Sequence, residues 1–128
     1  MGQGTELGRV RGLGSAKHGA GHWWLQRLTA FGNLVLILWL IISLLRLPNL
    51  DYATVHSWLQ SPLAAVPMAF IAINTFWHFR LGLQVVIEDY QHDASRIVAM
   101  ALLHLWTFGS AGLALFSILK IALSGTPN

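Results

Sequence analysis

Three long apolar stretches separated by short polar breaks dominate the pattern of this chain. The first lies between Arg27 and Arg46 and is densest over residues 34–42. The second covers residues 62–86, and the third lies between Arg96 and Lys120. A helix of about 20 apolar residues crosses the roughly 30 Å of bilayer hydrocarbon. The first stretch is slightly short by that measure, and Trp23 and Trp24 extend it at the interface. Lipid offers no water to backbone N–H and C=O groups, so each stretch is expected to be helical. The pattern predicts an all-α membrane protein with three transmembrane helices, over about residues 22–47, 62–90 and 94–122. Residues 1–21 form a tail before this domain of residues 22–124, and residues 125–128 form a tail after it.

The breaks carry their own signals. Pro48, Asn49 and Asp51 end the first helix, and residues 51–60 fit a short interfacial helix with Trp58 at headgroup depth. Ser61-Pro62 reads as an N-cap followed by proline at the first helical position. Pro67 either bends that helix or marks its true start. In the second connection, residues 88–96, Asp93 or Ser95 is expected to cap the third helix. Arg9, Arg11, Lys17 and Arg27 precede the first helix and Arg96 lies in the second connection, whereas Arg46 and Lys120 fall on the opposite side. Cytoplasmic segments carry the excess of Lys and Arg. The expected arrangement is a cytoplasmic N-terminus and a periplasmic C-terminus in a bacterial inner membrane. Residues 1–22 are Gly-rich and basic and lack the apolar core of a signal peptide.

Composition sharpens this picture. Of the 128 residues 55% are hydrophobic and 10% charged, against about 25% charged in a soluble domain. The net charge of +3 reflects a short basic tail. No run of Lys and Arg tracks a groove, which argues against a nucleic-acid partner. With no cysteine, the chain makes no disulfide and supplies no thiolate to a metal or an iron–sulfur cluster. Any metal must be held by His or carboxylate.

Six histidines are present, and two lie deep in apolar stretches. His78 sits well inside the second, where an ionisable residue is expensive and points to function. It reads either as an axial haem ligand or as a histidine bonded to a neighbouring helix. Gly82, one turn on, leaves room for a flat macrocycle. His104, inside the third stretch, reads as a second ligand, a proton relay or a packed histidine, and packing is favoured. Arg80 points to another side of the helix than His78. It is placed to pair with a haem propionate or a partner's carboxylate, or to snorkel to the interface. His18, His22, His56 and His92 lie in tails or loops. Glu88 and Asp89 close the second helix against its macrodipole. Beside them, Tyr90 offers a phenol at the membrane surface, suited to a quinone carbonyl or simply to interfacial anchoring. Arg27 reads as an interfacial anchor or a partner for a propionate. Gly109 and Gly112 are expected to serve close helix packing.

Taken together these residues resemble a known family. His78-Phe79-Arg80-Leu81-Gly82 running on to Glu88-Asp89-Tyr90 resembles the second-helix signature of the D-type membrane anchor of succinate dehydrogenase (respiratory complex II). That signature has a haem-ligand His, Gly four residues later, and Asp-Tyr at eleven and twelve. His22-Trp23-Trp24-Leu25-Gln26-Arg27 is similar to the family's lead-in to its first helix, and Trp58-Leu59 with Ser61-Pro62-Leu63 to its outer connection. The resemblance implies three helices packing with a companion C-type cytochrome b anchor subunit and sharing haem b with it. It makes His78 one axial ligand of the haem iron and places Arg27 near the propionates and the quinone pocket. Tyr90 would bind ubiquinone, with Asp89 assisting its protonation. It further implies flavoprotein and iron–sulfur subunits on the cytoplasmic side, where succinate is oxidised, with membrane lipid around the helices. A fumarate reductase anchor, or an assembly subunit without a redox role, are the alternative readings.

Overall fold

Apolar runs with few internal breakers give long helices, and the breaks between them give short connections. The computed structural model describes residues 19–124. It contains α1 (Gly19–Leu45), α2 (Tyr52–Gln60), α3 (Pro62–Tyr90) and α4 (Asp93–Leu123). The three long helices have 27, 29 and 31 residues, or about 40–47 Å at 1.5 Å per residue, enough to cross a bilayer. The tail carrying Arg9, Arg11, Lys17 and His18, and residues 125–128, lie outside the described residues.

The limits of α3 coincide with those expected, whereas α1 begins earlier, at Gly19, and stops sooner, at Leu45. Its last turn tightens, with Arg46 N–H donating to Ile42 and Ser43 and Leu47 N–H to Leu44, before Pro48 ends it. Asp51 caps α2 by accepting from Thr54 N–H at 2.8 Å. Hydrogen bonds from Thr54, its hydroxyl first and then its backbone N–H, hold this exposed carboxyl below its ordinary value. Ser61 precedes α3 as expected, yet its side chain makes no cap. Its carbonyl receives Ala64 and Ala65 N–H instead. Pro67 lies inside an unbroken α3. The start of α4 differs from expectation, because His92 rather than Asp93 or Ser95 takes the N-cap position. Asp93 opens the helix at φ 52°, a left-handed conformation that Asp tolerates better than most residues. Ser95 donates its hydroxyl back to the His92 carbonyl at 2.7 Å.

Helix α3 is the centre of the bundle. It packs against α1 on one side and α4 on the other, and no Cα of α1 lies within 8 Å of one in α4. The short α2 lies against α3 and α4, and its Trp58 stacks on Trp39 of α1 at 6.0 Å. The buried apolar core is Leu59, Ala64, Ala65, Ala72, Leu81 and Leu103. Half of these are alanines on α3, whose small side chains let neighbouring helices approach. Large side chains such as Phe31, Leu105 and Phe116 face outward. Such a surface suits hydrocarbon and would drive aggregation in water. Nothing lies within 4 Å of a Cβ built on Gly109 or Gly112, so these glycines do not serve packing among the described helices.

Candidate functional site

The α1–α3 seam is polar at its middle. Asn74 of α3 donates through Nδ2 to the Thr29 carbonyl and to Asn33 Oδ1, both at 2.8 Å. Thr75 donates to the same Asn33 oxygen at 3.2 Å. Gly32 allows this approach, because a Cβ there would sit 3.0 Å from Asn74 Nδ2. One turn along α3, His78 Nδ1 lies 2.9 Å from Thr29 Oγ1. That hydroxyl also lies 2.6 Å from the Leu25 carbonyl and 3.1 Å from that of Gln26. Carbonyls only accept, so the single hydroxyl hydrogen goes to the backbone and the Thr29 oxygen accepts from His78 Nδ1–H. The lone pair is thereby left on Nε2, which has no hydrogen-bond partner among the described residues and is not a sealed-in atom. Gly82 faces Gln26 of α1, and an added Cβ would meet Gln26 Nε2 at an ordinary 3.6 Å. The rung beyond His78 is therefore bordered by an amide.

The α3–α4 seam holds the other deep histidine in a different way. His104 Nδ1 lies 2.6 Å from the Met100 carbonyl, so it must donate there. Its Nε2 accepts from Arg80 Nη2 at 2.8 Å. Both ring nitrogens are used, and His104 is the packed, cross-helix histidine favoured from the sequence. The Arg80 guanidinium lies 4.9 Å from the centroid of Trp77, a cation–π contact. Among the described residues it meets no carboxylate. Phe76 and Phe79 pack on Trp106 around this pair.

At the far end of α3, Glu88 and Asp89 have different surroundings. Glu88 accepts from Gln84 at 2.9 Å and stands 3.8 Å from Arg96 of α4, so one of the two terminal acids finds a countercharge. Asp89 and Tyr90 are exposed, with Tyr90 at 77%. Asp89 follows His78 by eleven residues, which puts it about 20° away around the helix, on the face that meets α1. Tyr90 is turned about 120° from His78 and lies about 18 Å along the axis. Arg27 is exposed, with its guanidinium 5.3 Å from the Trp23 ring centroid. The structure thus brings His78 and Asp89 to one face of α3 and leaves Tyr90 and Arg27 on outer surfaces. Two buried atoms on α1 lack hydrogen-bond partners among the described residues: His22 Nε2 and Gln26 Oε1, one turn apart.

Sequence reasoning missed Thr29, Gly32, Asn33 and Asn74. Their signal is present, because amides inside an apolar run are costly unless they bond across a helix pair. Among the described residues no three of His, Asp and Glu cluster as a metal site.

This is a multi-pass helical membrane protein whose central helix offers one open imidazole at mid-depth. A family profile described as succinate dehydrogenase/fumarate reductase transmembrane subunit matches residues 1–119, and the chain belongs to that family. A succinate dehydrogenase hydrophobic membrane anchor subunit from Rickettsia bellii is 38% identical over 86 residues, covering 67% of this chain and 69% of the relative. A succinate dehydrogenase membrane anchor subunit from Reclinomonas americana is 32% identical over 91 residues, 68% of this chain and 76% of its own. The Paracoccus denitrificans hydrophobic membrane anchor subunit is 25% identical over 114 residues, 89% of this chain and 88% of its own. No solved structure matches.

Proposed function

We propose that this chain anchors succinate dehydrogenase in a bacterial inner membrane, holds haem b through His78 and helps bind ubiquinone through Tyr90 and Asp89. The observation that carries the reading is the His78 imidazole, whose Nδ1–H is engaged by Thr29 while Nε2 keeps an open lone pair. Metal-bound histidines commonly donate their second ring N–H in this way, which fixes the tautomer and aims the ligand nitrogen. The residues present therefore fit a haem iron. His104 is not a second ligand in this arrangement, since Arg80 occupies its Nε2. The second axial ligand would come from the companion C-type anchor. Haem supplies one-electron redox chemistry when bound.

Ubiquinone takes up two electrons and two protons to become ubiquinol. The electrons would come from the iron–sulfur subunit, fed by the flavoprotein subunit that oxidises succinate. Tyr90 offers its phenol to a quinone carbonyl at the membrane surface, and Asp89 passes protons from water. Arg27, on the first helix, is the group for a propionate. The reading puts the Tyr90 end at the cytoplasm and the α2 end at the periplasm, following the Lys and Arg bias. The relatives' names favour succinate dehydrogenase over fumarate reductase.

The test is a reduced-minus-oxidised spectrum of the purified membrane complex. His78→Ala should remove a b-type band while the subunits stay assembled; a band that persists rejects His78 as ligand. Tyr90→Phe should lower quinone reduction more than succinate oxidation by an artificial dye. Equal losses would assign Tyr90 to assembly and favour the structural reading.

A further inference from the structure

At the α2 end of the bundle, a groove of about 390 Å³ runs between α2 and α4. Its α4 wall carries Leu113, Phe116, Ser117 and Lys120, at the three- and four-residue spacing that keeps side chains on one helix face. Its α2 wall carries Tyr52 and His56, one turn apart, with ring centroids 5.4 Å from each other. The lining is graded. Leu113 and Phe116 lie towards the middle of α4. Lys120 and the α2 pair lie towards its end, where a cation also complements the helix dipole. Ser117 spends its hydroxyl hydrogen on the Leu113 carbonyl at 2.8 Å, so its oxygen remains able to accept. The single ion pair among the described residues joins Arg96 and Glu88 at the opposite end of the bundle, so Lys120 has no carboxylate partner there.

A second groove makes the contrast. It measures about 380 Å³ and lies between α3 and α4, lined by Pro62, Ala65, Val66, Leu115, Leu119 and Ala122 among others. The two grooves are alike in size and share the α2 end, but no charged residue lines the second. An acyl chain suits either, and only the first adds an ammonium, an imidazole and a phenol at headgroup level.

We propose that the α2–α4 groove binds an anionic phospholipid, with its phosphate at Lys120 and one acyl chain along Leu113 and Phe116. Charge complementarity selects the occupant. A Lys near the headgroups attracts anionic lipid, while its apolar stem lies along the groove. The hydroxyls of a glycerol headgroup, beyond the phosphate, match the ring of His56, which lines the same groove.

The test uses the complete membrane complex, stripped of lipid in detergent. It is titrated with dioleoyl phosphatidylglycerol or dioleoyl phosphatidylcholine, and retained lipid is counted by native mass spectrometry. The wild type should hold one phosphatidylglycerol per chain with a preference of about fivefold over phosphatidylcholine, the factor that one basic residue near the surface contributes. Lys120→Glu should abolish the preference and Lys120→Arg should keep it. Leu119→Ala, in the uncharged groove, should leave it unchanged. Equal retention of the two lipids by the wild type would overturn the proposal, as would a preference that survives Lys120→Glu. So would a second protein, another copy or a companion, found covering Lys120 in the lipid's place. The first comparison needs no variant, so it stands even where Lys120→Glu fails to assemble.

Discussion

The two seams of α3 each contain a histidine at hydrocarbon depth, and they treat it in opposite ways. Along α1 the neighbours are Thr29, Asn33 and Asn74, and His78 meets a hydroxyl through one nitrogen only. Along α4 the neighbours are aromatic, and His104 is used at both nitrogens, by the Met100 carbonyl and by Arg80. The same side chain is therefore left available for chemistry on one seam and consumed as a structural contact on the other. Depth alone does not separate a ligand from a packed residue. What separates them is how many of the ring's two nitrogens the protein satisfies itself.

The largest effect that would test this contrast comes from Thr29→Val, which keeps the shape of the residue and removes the acceptor for His78 Nδ1–H. Haem retention in the purified complex should fall by about 10–100-fold, the usual cost of losing such a supporting partner. His104→Gln should leave the b-type band in place, and its disappearance would erase the distinction between the seams. Arg80→Leu removes the donor to His104 together with a charge within the α3 span. A loss of about 1 kcal/mol in thermal or detergent unfolding is expected, within the range seen for interhelical polar contacts. Gly32→Ala presses a methyl group onto Asn74 and should loosen α1 from α3 by a similar or slightly smaller amount, about 1 kcal/mol at most if Asn74 shifts. Faster cysteine crosslinking or proteolysis of α1 would reveal it. The smallest effect belongs to Asp51, away from both seams. Its carboxyl lies below the ordinary 3.8 in the folded chain. Its contribution is complete above that value and disappears as pH falls through the lower folded value. Protection factors for amide exchange in α2 should fall below pH 3.8 and hold between pH 5 and 7.

Much of this architecture was legible in the amino-acid pattern. Hydrocarbon forces helical backbone on any apolar run of sufficient length, so the three spans follow from hydropathy alone. Polar depth singled out His78 and His104 for the same reason. What the pattern could not supply was register. Thr29 and Asn74 become partners only once α1 and α3 slide to one alignment, and Arg80 finds His104 only through the alignment of α3 with α4. The cap of α4 was missed for a local reason, since Asp93 takes a left-handed conformation and His92 stands at the N-cap. Tyr90 and Arg27 remain exposed surface groups in this chain, and their proposed ligands would lie at a boundary shared with other subunits. Sequence identifies such groups by type, while their geometry belongs to the assembly.

The bond between Asn33 and Asn74 joins residues 41 positions apart in the chain, and this has a consequence for biogenesis. At a synthesis rate of about 5–20 residues per second, Asn33 is made roughly 2–8 s before its amide partner. Until α3 arrives Asn33 has no amide partner, which favours keeping α1 at the insertion machinery. Chains that terminate after α2 would never acquire that partner and would keep an unpaired amide in the span.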